Sequence, residues 1–264
     1  MMIVAFSLGA AVGVVMGLTG AGGGILAVTL LVLSLHLTVT QAAPIGLLAV
    51  GIAAGIGAAI GLKAKTVRYR AALLIAASGI VMAPVGVSLT HRLDTALLSL
   101  AFAAILVWVA YRSLAEYRDS SGVSPSPSTQ PCIRNMETGR FMWTNKCARA
   151  LSVSGGIAGV LSGLLGVGGG FVMVPALQRY TDLEAKSVVA TSLAVIALIS
   201  LAGVVASLLA DNLDLKVAAP FAAGSVGGMI LGGVLSSRLP AKYLKLAFAV
   251  ICLAVAVGMI FRPL

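Results

Sequence analysis

Charge is what this sequence has least of. Asp, Glu, Lys and Arg make up 10% of its 264 residues, and only 8 of them are acidic. A water-soluble domain carries about 25% charged residues, so this chain cannot cover a water-facing surface, and lipid must be its solvent. Histidine is nearly absent: His36 and His91 stand alone at the ends of apolar runs. Three cysteines, Cys132, Cys147 and Cys252, form no C-x-x-C, so neither a metal site nor a disulfide framework is expected. No nucleophile–base pair accompanies them, which argues against an enzyme and against a resident cofactor. The opening MMIVAFSLGAAVGVV lacks Lys and Arg. A cleavable signal needs a basic start, so this segment is read as mature and embedded.

What the chain has in abundance is apolar surface. Hydrophobic residues make up 59% of it and the mean hydropathy is +1.08. The apolar runs are Ile3–Leu35, Gln41–Leu62, Ala71–Leu89, Thr95–Tyr111, Ala148–Leu177, Val188–Ala210, Val217–Ser236 and Tyr243–Phe261. A crossing of the bilayer core takes about 20 such residues. Between the fourth and fifth runs lies SSGVSPSPSTQPCIRNMETGRFMWTNK, which begins as a flexible Ser/Pro linker. A short hairpin is predicted around Thr138-Gly139. The expected division is 1–112 for a first membrane repeat, 113–147 for the linker and 148–264 for a second repeat. The net charge of +10 reports loop orientation in a membrane protein rather than a nucleic-acid partner.

The two halves are copies. Sliding the sequence by 146 residues without a gap gives 26 identities over the 91 pairs from Gly17/Gly163 to Val107/Leu253. GLTGAGGG meets GLLGVGGG, and RLDTALLSLAFAAI meets RLPAKYLKLAFAVI. The first run of each half is too long for one crossing, at 33 and 30 residues, and each is interrupted by its glycine tract. If each long run is a hairpin that enters and leaves on one side, every half crosses three times and the second half is upside down.

Lys and Arg concentrate on the cytoplasmic side, which tests the alternatives. Eight simple crossings divide these residues 12 to 6, whereas two hairpins divide them 15 to 3. The cleaner split predicts an all-α integral membrane protein of two inverted repeats. Each repeat has a re-entrant or broken Gly-rich helix hairpin plus three transmembrane helices. The linker is placed in the cytoplasm, where Cys132 and Cys147 would stay reduced, and both termini outside a cell (inner) membrane.

A hairpin tip inside the membrane leaves backbone N–H groups without helical partners, which is tolerated only against protein or water. Glycine allows positive φ and close approach. The half-helices starting near Ile25 and Phe171 aim their first N–H groups and positive dipole ends at the tips, which makes each tip an anion site. Inverted halves bring both tips to the midplane, where such carriers hold substrate. The predicted binding residues are Thr19, Gly20, Ala21, Gly22, Gly23 and Gly24 in the first tract and Gly166, Val167, Gly168, Gly169 and Gly170 in the second. Gln41, Thr191 and Ser192 supply polar groups from the second runs. The competing reading is that the glycines serve close helix packing and that Thr191 and Ser192 bond their own carbonyls. Ser78, Ser162 and Ser200 are read as structural. Pro44, Pro84, Pro175 and Pro220 mark helix starts or kinks.

No Asp, Glu, Lys or Arg lies in the central part of any run, which leaves no proton relay of the kind pumps use. An anion leaving an inside-negative cell gains about 2.3 kcal/mol per charge per 100 mV, so efflux needs none. Neither tract continues into G-K-[ST], so nucleotide binding is unsupported.

GLTGAGGG (Gly17–Gly24), GLLGVGGGFVMVPAL (Gly163–Leu177), ATSLAVI (Ala190–Ile196) and the linker piece CIRNMETGRFMWT resemble the sulfite exporter TauE/SafE family of membrane permeases. The resemblance covers nearly the whole chain. It implies a carrier, here expected to export, for small sulfur-containing anions such as sulfite, organosulfonates or thiosulfate. The first repeat departs from the second, with Thr29 in place of Pro175 and Pro44-Ile45-Gly46 in place of Ala190-Thr191-Ser192. The alternatives are carriage of other small organic anions, uptake driven by a co-ion, and a non-transporting membrane scaffold whose linker binds a partner. The expected partners are the anion and the lipid bilayer, with a homodimer left open.

Overall fold

In hydrocarbon every backbone N–H and C=O must find its partner within the protein, and a helix satisfies them within one segment. The computed structural model describes residues 2–20, 23–35, 37–90, 104, 107–108, 110–111, 114, 132, 144–165, 168–209, 215–236, 250 and 253. Among these residues the chain forms α1 (Met2–Thr19), α2 (Gly23–Leu35), α3 (Val39–Lys63), α4 (Tyr69–Thr90), α5 (Asn145–Leu165), α6 (Gly170–Tyr180), α7 (Ala185–Leu209) and α8 (Leu215–Ser236). All but α2 and α6 are long and apolar enough to cross a membrane, giving 6 candidate spans. The runs Thr95–Tyr111 and Tyr243–Phe261 lie for the most part outside the described residues, and the turn at Thr138-Gly139 lies wholly outside them.

Each overlong run breaks at its glycines. Gly20 (φ 72) separates α1 from α2, and Gly168 (φ 73) and Gly169 (φ 65) separate α5 from α6. The left-handed region is nearly free for glycine and costly for other residues, so these positions end one helix and begin the next. The starts and stops of α3 follow capping chemistry. Thr38 and Gln41 form a capping box, and Lys63 sits in the last turn where a cation suits the dipole. Pro44, Pro84, Pro175 and Pro220 all lie inside helices.

Glycine rows set the packing. Gly9, Gly13 and Gly17 of α1 meet Phe221, Ser225 and Met229 of α8 in that order, so closely that a Cβ at any of them would overlap backbone. The two helices therefore run parallel. Gly155, Gly159 and Gly163 of α5 meet Ile75, Gly79 and Ala83 of α4 in the same manner, again parallel. Shifting the first set by 146 and exchanging halves yields the second set. In α3 and α7 the order reverses: Leu47 faces Gly203, Gly51 faces Ser200 and Gly61 faces Ala190. Those central helices are antiparallel. Thr191 and Ile199 of α7 face Arg68 and Gly79 at the start and middle of α4, and Ser225 and Met229 of α8 face Ala49 and Gly57 of α3. Both of those pairs are parallel. Small residues at such crossings let apolar helices associate by close contact where no hydrophobic force separates lipid from protein.

The outward surface is lipid-like. Val81, Val153 and Leu231 are 69%, 62% and 67% exposed. In water such a surface would be an aggregation site; in a bilayer it is the solvated face. Buried hydroxyls mostly bond their own helix. Thr29 donates to Ile25, Ser154 to Ala150 and Thr181 to Leu177, which removes the cost of placing them in an apolar interior.

One expectation is corrected. No disulfide was predicted, yet Cys132 and Cys147, 15 residues apart, are bonded. Both are fully buried. Cys132 also pairs its backbone with the end of α6: its N–H donates to Tyr180, and its carbonyl accepts from Asp182. The bond is invisible in the spacing because Cys147 lies on α5 and Cys132 in the linker.

Candidate functional site

Helix α7 touches both glycine turns. At its beginning the Ser192 hydroxyl donates to the Gly20 carbonyl at 2.9 Å and lies 2.8 Å from the Val189 carbonyl, sharing one proton between them. A Cβ at Gly20 would stand 2.6 Å from the Val189 side chain, so only glycine fits on both steric and dihedral grounds. Two turns further along α7, Ser200 faces Gly168: a Cβ there would stand 3.0 Å from the Ser200 hydroxyl oxygen. Eight residues of helix between Ser192 and Ser200 separate the two contacts by about 12 Å.

The second turn is the more open in chemistry. Gly169 is the N-cap of α6 and gives it no side-chain cap, and a Cβ at Gly169 would stand 2.6 Å from the Ala158 carbonyl. The Val172 N–H donates to the Gly169 carbonyl at 3.2 Å; the amides before it have no intrahelical acceptor by construction, and the dipole adds roughly half a positive charge there. Beside them the Ser200 hydroxyl is fully buried and has no hydrogen-bond partner. A buried hydroxyl left unmatched costs about 1–3 kcal/mol.

The remaining predicted residues separate into distinct roles. Thr191 is fully buried, and its hydroxyl accepts the Arg68 N–H at 3.1 Å, holding the start of α4 to α7. Thr19 donates to the Val15 carbonyl at 2.8 Å. Gln41 is exposed, and its side-chain oxygen accepts the Thr38 N–H at the start of α3. Gly23 and Gly24 are buried in the first turn of α2, and Gly170 is buried in the first turn of α6. Ala21, Gly22, Gly166 and Val167 lie outside the described residues. The structure thus gathers Gly20, Ser192 and Gly168 along α7, with Gly169 against Ala158 of α5, and adds Ser200, which the sequence assigned to a structural role. The one available signal for Ser200 was its counterpart: the residue 146 positions earlier is Ala54.

No acidic residue occurs in any of the eight helices, and no metal-holding group of His, Cys, Asp or Glu occurs among the described residues. Amide dipoles and hydroxyls are what these turns can offer a ligand, and such donors suit an anion.

The profile described as "Sulfite exporter TauE/SafE" matches residues 5–259. A "Probable membrane transporter protein" of Xylella fastidiosa (strain 9a5c) is 30% identical over 265 residues, covering 99% of this chain and 95% of that protein. A protein of the same description from the Temecula1 strain is equally similar. The "Probable membrane transporter protein YunE" of Bacillus subtilis (strain 168) is 24% identical, covering 97% of this chain and 96% of its own length. No solved structure matches.

Proposed function

The chain belongs to the sulfite exporter TauE/SafE family of membrane transporters, and from that premise we propose that it carries small sulfur-containing anions, such as sulfite, organosulfonates or thiosulfate, out of the cell. The anion binds near the midplane at the glycine turns, where half-helix N-termini meet it. The observation that carries this reading is the placement of both left-handed glycine turns against one helix, α7.

The inverted, re-entrant architecture is part of the same proposal. Helices α1, α3 and α8 share one direction while α4, α5 and α7 share the other, as their contact orders imply. Each of α1, α3 and α4 therefore opposes its counterpart 146 residues later. Because α1 and α3 point the same way, α2 between them has to return. Its 13 residues span about 20 Å, short of the roughly 30 Å hydrocarbon core. The same logic applies to α6 between α5 and α7. The 15-to-3 split of Lys and Arg puts the linker in the cytoplasm. There the buried Cys132–Cys147 bond is shielded, since exchange requires a thiolate to reach one of its sulfurs.

Flux supplies the test. Proteoliposomes loaded with 35S-sulfite, thiosulfate, sulfoacetate or acetate, under an imposed potential, are expected to release the sulfur anions faster than acetate. Gly169→Val forces a left-handed residue and a backbone overlap together, and should reduce that release more than tenfold. Undiminished release by a folded variant would remove the site.

A further inference from the structure

Among the described residues, Ser200 carries the one buried hydroxyl oxygen with no hydrogen-bond partner of either kind. Ser192, Ser225, Thr29, Ser154 and Thr181 each donate to a carbonyl. Ser200 does not, although a serine within a membrane helix ordinarily bonds the carbonyl three or four residues back. Its Cβ lies 2.9 Å, and its hydroxyl oxygen 3.8 Å, from where a Cβ of Gly51 would stand, so α3 closes one side of it. Around Gly168 the other neighbours are the apolar Ile196 and Leu47 side chains. The hydroxyl therefore stands beside the turn that starts α6, an 11-residue helix with no side-chain cap.

We propose that Ser200 is a substrate-binding residue, its hydroxyl donating a hydrogen bond to an oxygen of the anion held at the N-terminus of α6. This rests on reading the second glycine turn as the anion site. A helix N-terminus alone attracts any anion. A fixed hydroxyl beside it favours one with an oxygen acceptor in the right place, because displacing its hydration is repaid only when that acceptor is present. Oxyanions such as sulfite and sulfonates meet that demand and chloride meets it poorly. The duplicated position carries Ala54, so this contact belongs to the second half alone.

The test uses the full chain in proteoliposomes and in detergent. Wild type is first assayed for flux of, and thermal stabilisation by, sulfite, thiosulfate, sulfoacetate, acetate and chloride. Ser200→Ala should raise the half-saturating sulfite concentration about tenfold and leave the maximal rate within about twofold, with the preference over chloride reduced. Ser200→Cys, a similar shape with a weak donor, should fall between. Ser225→Ala, whose hydroxyl is bonded to Ala49, should leave half-saturation unchanged. If Ser200→Ala folds and matches wild type in half-saturation and selectivity, the assignment fails while the anion site stands. If it lowers ligand-free stability and the maximal rate with half-saturation unmoved, the hydroxyl is structural and the assignment fails too. If wild type responds to none of the anions, the site reading fails and takes Ser200 with it.

Discussion

The two glycine turns began as copies and ended differently. At the first, the protein satisfies itself: the Gly20 carbonyl receives the Ser192 proton, the Val189 side chain closes over the turn, and α2 beyond it is buried from Gly23 through Thr29. At the second, two successive left-handed glycines lead into a helix that is only partly covered, and the facing serine bonds nothing. Both serines are on α7, whereas α3 has Gly46 and Ala54 at the equivalent positions. Duplication supplied a symmetric frame, and polar groups were then placed on one central helix. Symmetric packing and asymmetric chemistry are thus separable properties, and mutation can pull them apart.

The largest effect should appear where the halves remain alike. Gly13 lies against the Ser225 backbone, and its counterpart Gly159 lies against Gly79 in the same way. A leucine at either site has no room: overpacking costs about 1–3 kcal/mol where neighbours can shift and more where, as here, the obstacle is backbone. Gly13→Leu and Gly159→Leu should therefore both abolish the monodisperse folded protein in gel filtration. Collapse of one with survival of the other would mean that the helix pairs are not equivalent. A smaller effect separates the ends of the two short helices, α2 and α6. The end of α6 is strapped by Cys132 and its disulfide to Cys147, while α2 passes directly through Leu37 and Thr38 into α3. Closing a loop of about 15 residues stabilises by roughly 3 kcal/mol in the chain-entropy account, less where the unfolded reference keeps structure. Replacing both cysteines by serine should lower the thermal midpoint and speed amide exchange at Thr181 and Asp182. Exchange at the end of α2 should not change; a uniform rise at both ends would show the strap to be global in action.

Much of this was legible from residues. Length and the lack of charge dictated helices in lipid, and the tracts at Gly20 and Gly168 told where the overlong runs break, because consecutive glycines disfavour helix and admit positive φ. The duplication was legible from Gly17 and Gly163 onward, whereas the matching contacts of Gly13 and Gly159 appear only in the structure. What stayed hidden depends on how distant segments meet. The disulfide joins a linker residue to a helix start, and no spacing rule encodes that approach. Ser200 looked like any serine in an apolar run, since whether a hydroxyl bonds its own helix or faces a turn is a matter of rotamer and neighbour. Thr191 looked like a ligand group, and its hydroxyl accepts the Arg68 N–H across 123 positions of sequence.

The finest distinction is between the two serines of α7 in the absence of any anion. Ser192→Ala removes the donor to a buried carbonyl. Gly20 is then left with an acceptor that water cannot reach, and the loss should be about 1–2 kcal/mol. For a chain of this size that is a fall of roughly 2–8 °C in the unfolding midpoint. Ser200→Ala removes a hydroxyl that already lacks a partner, so the ligand-free midpoint should stay within about 0.5 kcal/mol of wild type or rise. Both substitutions delete the same atom from the same helix about 12 Å apart, so differences in composition, lipid or helix propensity cancel between them. Only the local partner remains to separate their midpoints. Equal losses would mean that the Ser200 hydroxyl is bonded in the resting protein, and the asymmetry between the turns would then vanish.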